Sequence, residues 1–161
     1  ELEIDNKLTK SLLPEIKKIY HIDVTHRENY KICCYDGEHS GRFHAHRDTP
    51  HPYSHRRYAL VLALNDEFEG GGLRVKEYGD TIYKAPPRSA IIFPCMTYHE
   101  VVPITKGKRF AIISFLLSED EVAAKEKHKV KTCVQDMNRY KFKTERDQYN
   151  INLSCIYPLS K

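Results

Sequence analysis

Apolar residues at Leu8, Leu12, Ile16 and Ile19 recur at helical spacing, so the chain opens on an amphipathic helix whose stripe suits the outside of a barrel. Pro14 falls inside that run, where its ring either kinks the helix or opens its second part. From Tyr30 the texture changes. Short runs rich in β-branched and aromatic residues, divided by Gly, Pro and Asp, read as strands: YKICCY, RFHAH, RRYALVLAL, GLRVKEY, TIYKA, SAIIF, HEVV and RFAIISFLL. SAIIF and RFAIISFLL are apolar at consecutive positions, which predicts strands covered on both faces. Gly70, Gly71 and Gly72 lack a GK[ST] ending and precede a strand, so they read as a tight turn rather than a phosphate-binding loop. The segment SEDEVAAKEKHK begins with Ser118 and Glu121 at capping-box spacing and predicts a helix after the last core strand. The expected organisation is mainly β, as one domain over residues 1–161: a helical preface (1–29), a β core (30–117) and a mixed tail (118–161).

Composition narrows the class without choosing a function. Hydrophobic residues make up 40% and charged ones 30% of 161 residues, a globular balance, and no apolar run approaches the length that crosses a bilayer, so no membrane role is expected. A net charge of +4 is compatible with an anionic partner and equally with none. The lysines of residues 125–143 alternate with Glu126, Asp136 and polar residues, the pattern of a solvated face. Five cysteines (Cys33, Cys34, Cys95, Cys133 and Cys155) are odd in number and form no CxxC pair. Neither a disulfide framework nor a cysteine zinc site follows, which favours a reducing compartment, cytoplasmic or nuclear. The chain begins at Glu1 rather than methionine, which leaves room for an upstream segment and any targeting signal it carried. The sequence does not specify an oligomeric state.

The candidate chemistry lies in GRFHAHRDTP and YHEVVPITKGKRFAIISF. A His-x-Asp pair is weak evidence by itself in a chain with nine histidines. Its geometry carries more weight, because alternate residues of a strand share a face, so His46 and Asp48 would present an imidazole and a carboxylate together. With His99 from a distant strand, two nitrogens and one oxygen would occupy one octahedral face, a set that suits non-haem Fe(II) better than closed zinc. Arg109 adds a permanent cation whose planar fork matches a carboxylate. His44 shares the strand parity of His46 and is expected to line the same pocket. His39, His51 and His55 lie in loop-like sequence and are expected to be solvated. The HRD of residues 46–48 mimics a kinase catalytic loop, but the required asparagine is Tyr53.

HAHRDT, the turn DEFEGGGLRV, the strand SAIIFP, His99 and Arg109 together resemble the Fe(II)/2-oxoglutarate dioxygenases, most nearly their prolyl-4-hydroxylase-like branch, over roughly residues 30–117. The resemblance implies a double-stranded β-helix, a jelly-roll or cupin-like barrel, with flanking helices. It implies His46, Asp48 and His99 as iron ligands and Arg109 as the anchor for 2-oxoglutarate. Tyr35 matches a cosubstrate-contacting tyrosine of relatives, although the stretch from it to His46 is about two residues longer here. Where many relatives place a hydroxyl two residues after the cation, this chain has Ala111, and Ala59 and Ala63 stand where they often carry threonine or tyrosine. Tyr58 is the replacement donor to examine first.

The implied activity is hydroxylation of a protein or peptide residue, foremost proline, consuming 2-oxoglutarate and dioxygen, with ascorbate as reductant. The substrate would be held by residues 49–57 and by the loop around Phe68. Two alternatives remain at this stage: an oxidative demethylase of nucleic acid on the same fold, and a non-catalytic β-barrel binding module.

Overall fold

The computed structural model describes residues 2–50 and 52–125 and the backbone of residues 156–158. These fall into two compact units, one of residues 30–116 and one of residues 1–29 with 117–161.

The second of these begins with helix α1 (Leu2–Lys7), a π-helical turn (Leu8–Leu12), helix α2 (Leu13–Tyr20) and strand β1 (His26–Glu28). Pro14 opens α2, in the first turn where a missing N–H breaks no helical hydrogen bond. The expected stripe holds for Leu8 and Ile16, on either side of the π turn, but leaves Ile19, in the last turn of α2, 67% exposed. Arg27 and Asp5 are both buried and form a bidentate pair, Nε to Oδ1 at 2.6 Å and Nη2 to Oδ2 at 2.8 Å. β1 pairs antiparallel with the strand Ile156–Pro158. Residues 119–125 are helical, and Ser118 donates both its backbone N–H and its hydroxyl to the Glu121 carboxylate, as the capping-box spacing requires. The lysines beyond residue 125, Cys133, Cys155 and His51 lie outside the described residues.

The unit of residues 30–116 is built on strands β2 (Lys31–Asp36), β3 (Phe43–His46), β4 (Tyr58–Ala63), β5 (Phe68–Gly70), β6 (Leu73–Val75), β7 (Ile82–Tyr83), β8 (Ala90–Pro94), β9 (His99–Val101) and β10 (Ile104–Leu117). Within it, β8, β4 and β10 form consecutive ladders of one sheet, to which β2 and β5 add along β10, and a second sheet runs β3, β9, β6, β7. All these ladders are antiparallel. The two antiparallel sheets are those of a double-stranded β-helix. Period-two alternation sorts the larger sheet: across its ladder Arg109 faces Tyr35, Ala111 faces Cys33 and Ala63, Ile113 faces Lys31 and Val61, and Phe115 faces Ala59. Phe115 and Ala59 join Phe93, Cys95, Leu73 and Val75 in a buried cluster shared by the two sheets.

Most expected strands form, with two differences. β10 starts at Ile104, ahead of the apolar run, because Ile104, Lys106 and Gly107 pair with β5 through a register shift. SAIIF is only half-buried at Ala90, Ile91 and Ile92, since among the described residues β8 pairs with β4 alone and lies at the sheet edge. The end of RFAIISFLL is covered on both faces, with Ser114, Phe115, Leu116 and Leu117 all buried. Gly70, Gly71 and Gly72, at φ of +71°, +62° and +108°, make the expected turn between β5 and β6.

The turn from β2 to β3 sets the spacing of the site. The Asp36 side chain accepts from Glu38 N–H, Ser40 adopts a left-handed conformation, and Gly41 N–H donates to the Asp36 carbonyl at 2.7 Å. A Cβ on Gly41 would stand 2.4 Å from Asp36 N, a backbone atom that cannot yield without moving β2. Gly41→Ala is therefore expected to cost about 1–3 kcal/mol, the range of overpacking. Chemical denaturation measures this, and a loss under about 0.5 kcal/mol, the scale of an ordinary surface change, would show that the turn relaxes freely.

Candidate active site

His46 ends β3 and His99 begins β9, and the two are direct cross-strand partners with ring centroids 4.4 Å apart. Asp48 follows just beyond the strand end, in a bend, and its N–H is tied to the Cys95 carbonyl at 2.9 Å. The expected convergence is present, although a strand carries only the first of the His-x-Asp pair. Asp48 Oδ1 lies 3.2 Å from His46 Nε2, and Oδ2 lies 3.6 Å from His99 Nε2. One donor atom from each of the three residues fits within 4.8 Å of the others.

The hydrogen bonds on the far side of each imidazole explain what this cluster is built to hold. His46 Nδ1 lies 2.7 Å from the His44 carbonyl and His99 Nδ1 lies 2.9 Å from the Thr97 carbonyl. A carbonyl only accepts, so each Nδ1 carries the proton and each neutral ring turns a lone pair on Nε2 toward Asp48. Three acceptors thus converge with no donor among them, which is a site for a cation. Burial opposes protonation of His46, yet the Asp48 carboxylate and the His44 carbonyl together raise it above the ordinary imidazole value. Burial lowers His99 below its own. Phe43 meets the His46 ring and Phe93 meets the His99 ring edge-on, at 4.4 Å and 4.5 Å, which fixes both imidazoles.

The triad opens on a cavity of about 670 Å3 lined by residues from both sheets, within the size range of small-molecule sites. Arg109 lines it and is 8% exposed, with its Nη1 buried and lacking a hydrogen-bond partner among the described residues. A buried guanidinium nitrogen without an acceptor is costly unless a ligand supplies one. Tyr35 stands opposite it on β2, its ring 5.1 Å from the Arg109 Cζ. Burial pushes the Tyr35 hydroxyl above its ordinary value, with the guanidinium only partly offsetting this, so the phenol is neutral.

Several sequence expectations are corrected here. Tyr58 is buried outside the cavity lining, because its neighbours Ala59 and Val61 point inward and alternation turns Tyr58 to the opposite face. His44 is exposed and does not line the cavity, since the β3 to β9 register shifts between Phe43 and His46. His55 is buried rather than solvated, whereas His39 is exposed as expected. Phe68 lines a separate small cavity with Arg109, while Pro50, Tyr53 and Arg56 of the 49–57 loop do reach the main one. Sequence reasoning missed Lys31, Cys33, Ile113 and Phe115, yet stepping by two from Tyr35 and from Arg109 finds all four. A second cluster, Asp36, Glu38 and His39, is exposed for the most part, and Asp36 is already engaged by Glu38 N–H and Lys108.

The model of the 2OG-Fe(II) oxygenase superfamily matches residues 30–117. A PKHD-type hydroxylase of Synechococcus is 34% identical over 62 residues, covering 38% of this chain and 28% of the relative. Another, of Acinetobacter baumannii, is 33% identical over 101 residues, covering 61% of this chain and 44% of the relative. The chain thus spans under half the length of these relatives. Among solved structures, a prolyl hydroxylase of Trichoplax adhaerens in complex with a hypoxia inducible factor peptide fragment superposes with TM-score 0.60 at 20% identity, covering 76% of this chain and 59% of that one. A Pseudomonas putida prolyl-4-hydroxylase gives TM-score 0.56 at 18% identity over 69% and 63%. At those identities the likeness is one of fold.

Proposed function

The chain belongs to the 2OG-Fe(II) oxygenase superfamily, and from that premise we propose that it hydroxylates a residue, foremost proline, in a protein or peptide. The observation that carries the reading is the convergence of three acceptors, His46 Nε2, the Asp48 carboxylate and His99 Nε2, beside a buried Arg109 nitrogen that lacks a partner among the described residues. Two imidazoles and one carboxylate fit Fe(II), and the orphaned guanidinium nitrogen fits the far carboxylate of 2-oxoglutarate. When bound, iron, 2-oxoglutarate and dioxygen supply the chemistry: decarboxylation to succinate and carbon dioxide, coupled to insertion of one oxygen into a C–H bond. Ascorbate is the reductant that keeps the metal ferrous.

The chain's own residues position and shield. The His44 and Thr97 carbonyls hold each imidazole in the tautomer that offers Nε2. Phe43 and Phe93 clamp the rings against rotation. Arg109 orients the cosubstrate by its far end, and the neutral Tyr35 closes that end of the pocket without bringing a second charge. Ala59, Val61 and Ile113 keep the middle of the cavity apolar and dry.

Mass spectrometry of proline-containing peptides incubated with the protein, Fe(II), 2-oxoglutarate and ascorbate tests this. The expected result is a gain of one oxygen that requires 2-oxoglutarate and disappears in His46→Ala. Oxygen gain that persists in His46→Ala, or no gain in any peptide while 2-oxoglutarate is consumed, would contradict it.

A further inference from the structure

Consecutive main-chain carbonyls in the turn between β8 and β9 are occupied by groups of the metal-binding segments. The Cys95 carbonyl accepts the Asp48 N–H at 2.9 Å, the Met96 carbonyl accepts Arg47 Nη1 at 2.8 Å, and the Thr97 carbonyl accepts His99 Nδ1 at 2.9 Å. The next, that of Tyr98, accepts the Lys76 N–H at 2.9 Å. Asp48 and His99 are thus held by one short turn. The side chain that meets the middle of that turn belongs to the residue between His46 and Asp48.

Arg47 reaches beyond that carbonyl. The same Nη1 donates to Glu77 Oε1 at 2.8 Å, and its Cζ lies 5.3 Å from the centroid of the Tyr98 ring. Glu77 belongs to the short 3-10 turn Lys76–Tyr78 after β6, whose first N–H is the one on the Tyr98 carbonyl. The contacts close a ring, from Arg47 to Glu77, along the chain to Lys76, across to Tyr98 and back through Met96 to Arg47. Residues 95–98 cannot tilt away from His46 and Asp48 without breaking a hydrogen bond of this ring. The Met96 side chain is 69% exposed, so the tip of the turn is held by its backbone and not by burial of an apolar residue.

Resting on the metal assignment above, we propose that Arg47 is a positioning residue for the metal site. Its guanidinium locks residues 95–98 against the His46–Asp48 segment and so holds in place the Thr97 carbonyl that orients His99. The Arg47 and Glu77 side chains are 48% and 43% exposed. An ion pair that open to water adds little to overall stability, so its effect falls on the placement of the ligands. Loss of a hydrogen-bond partner behind a metal ligand typically weakens metal binding about 10- to 100-fold. Arg47 acts one step further back, on the turn that supplies the partner, so the lower end of that range applies.

Co(II), which takes imidazole and carboxylate ligands and absorbs visible light, tests this when titrated into the full chain. Arg47→Met keeps the apolar stem and removes the donors, and it is expected to bind Co(II) about tenfold more weakly, with the thermal midpoint of the metal-free protein near that of the wild type. Arg47→Lys carries donors enough for both acceptors and should recover most of the affinity. Glu77→Gln should weaken binding less than Arg47→Met and add nothing to it in the double variant, because both act through one link. Equal Co(II) affinity in Arg47→Met and wild type, additive losses in the double variant, or a loss that follows the thermal midpoint down and is not rescued by lysine would overturn the brace. Failure of the wild type to take up Co(II) would overturn the metal assignment instead. The brace is then read from the metal-free protein, where the Asp48 amide should exchange with solvent faster in Arg47→Met; unchanged exchange would overturn it.

Discussion

Asp48→Ala is expected to abolish turnover, because it removes the only anion from the three-acceptor cluster while leaving the surrounding structure in place. The carboxylate lies within 3.2 Å of His46 Nε2 and 3.6 Å of His99 Nε2, and no other carboxylate lines the cavity among the described residues. Two neutral imidazoles on adjacent strands hold a divalent cation far less well than the same pair with a carboxylate. The Asp48 backbone bond to Cys95 survives in alanine, so circular dichroism should be unchanged. The variant, purified and equilibrated with Fe(II), should retain no iron and release no succinate. One equivalent of iron retained per chain would show that the residue is not a ligand.

Arg109→Ala is expected to act on a different parameter. Its guanidinium is buried, sits beside Tyr35 and keeps one nitrogen without an acceptor among the described residues. The loss of two charge-assisted hydrogen bonds to a carboxylate, each about 1.5–3 kcal/mol, should raise the 2-oxoglutarate KM by roughly two orders of magnitude or more. Iron content should remain at the wild-type level. Arg109→Lys keeps the charge and loses the fork, so it should fall between. Cosubstrate affinity equal to wild type in the alanine variant would remove Arg109 from that role.

The parts of this site that were legible in the sequence are those governed by strand alternation and by side-chain chemistry with few substitutes. His46 and His99 stand at strand ends, Asp48 just beyond one and Arg109 inside β10, and at each of them one residue of register decides whether a side chain faces the cavity. The tyrosine at 35 follows the same rule through its pairing with Arg109. Tyr58 shows the rule neglected: with Ala59 and Ala63 already placed on the inner face, its parity puts it on the other. His44 shows the rule defeated, since a register shift between Phe43 and His46 separates two residues that simple counting puts together. The π turn between α1 and α2 is a second irregularity, and neither has a sequence signature as clear as the hydrophobic period it interrupts. The short strands β1 and β5, three residues each, form through pairing with distant segments and carry too few residues to show a period.

The Arg47 brace was hidden for another reason. An arginine between two ligands carries no mark of its own in the sequence, and only the folded chain reveals that Glu77 and the Met96 carbonyl, far from it along the chain, receive its donors.

Anomalous diffraction at the iron edge, from crystals grown anaerobically with Fe(II), addresses the assignment of the metal to these three side chains. The expected map holds one strong peak within bonding distance of His46 Nε2, the Asp48 carboxylate and His99 Nε2. A peak at Asp36, Glu38 and His39 instead, or none at His46, would contradict it.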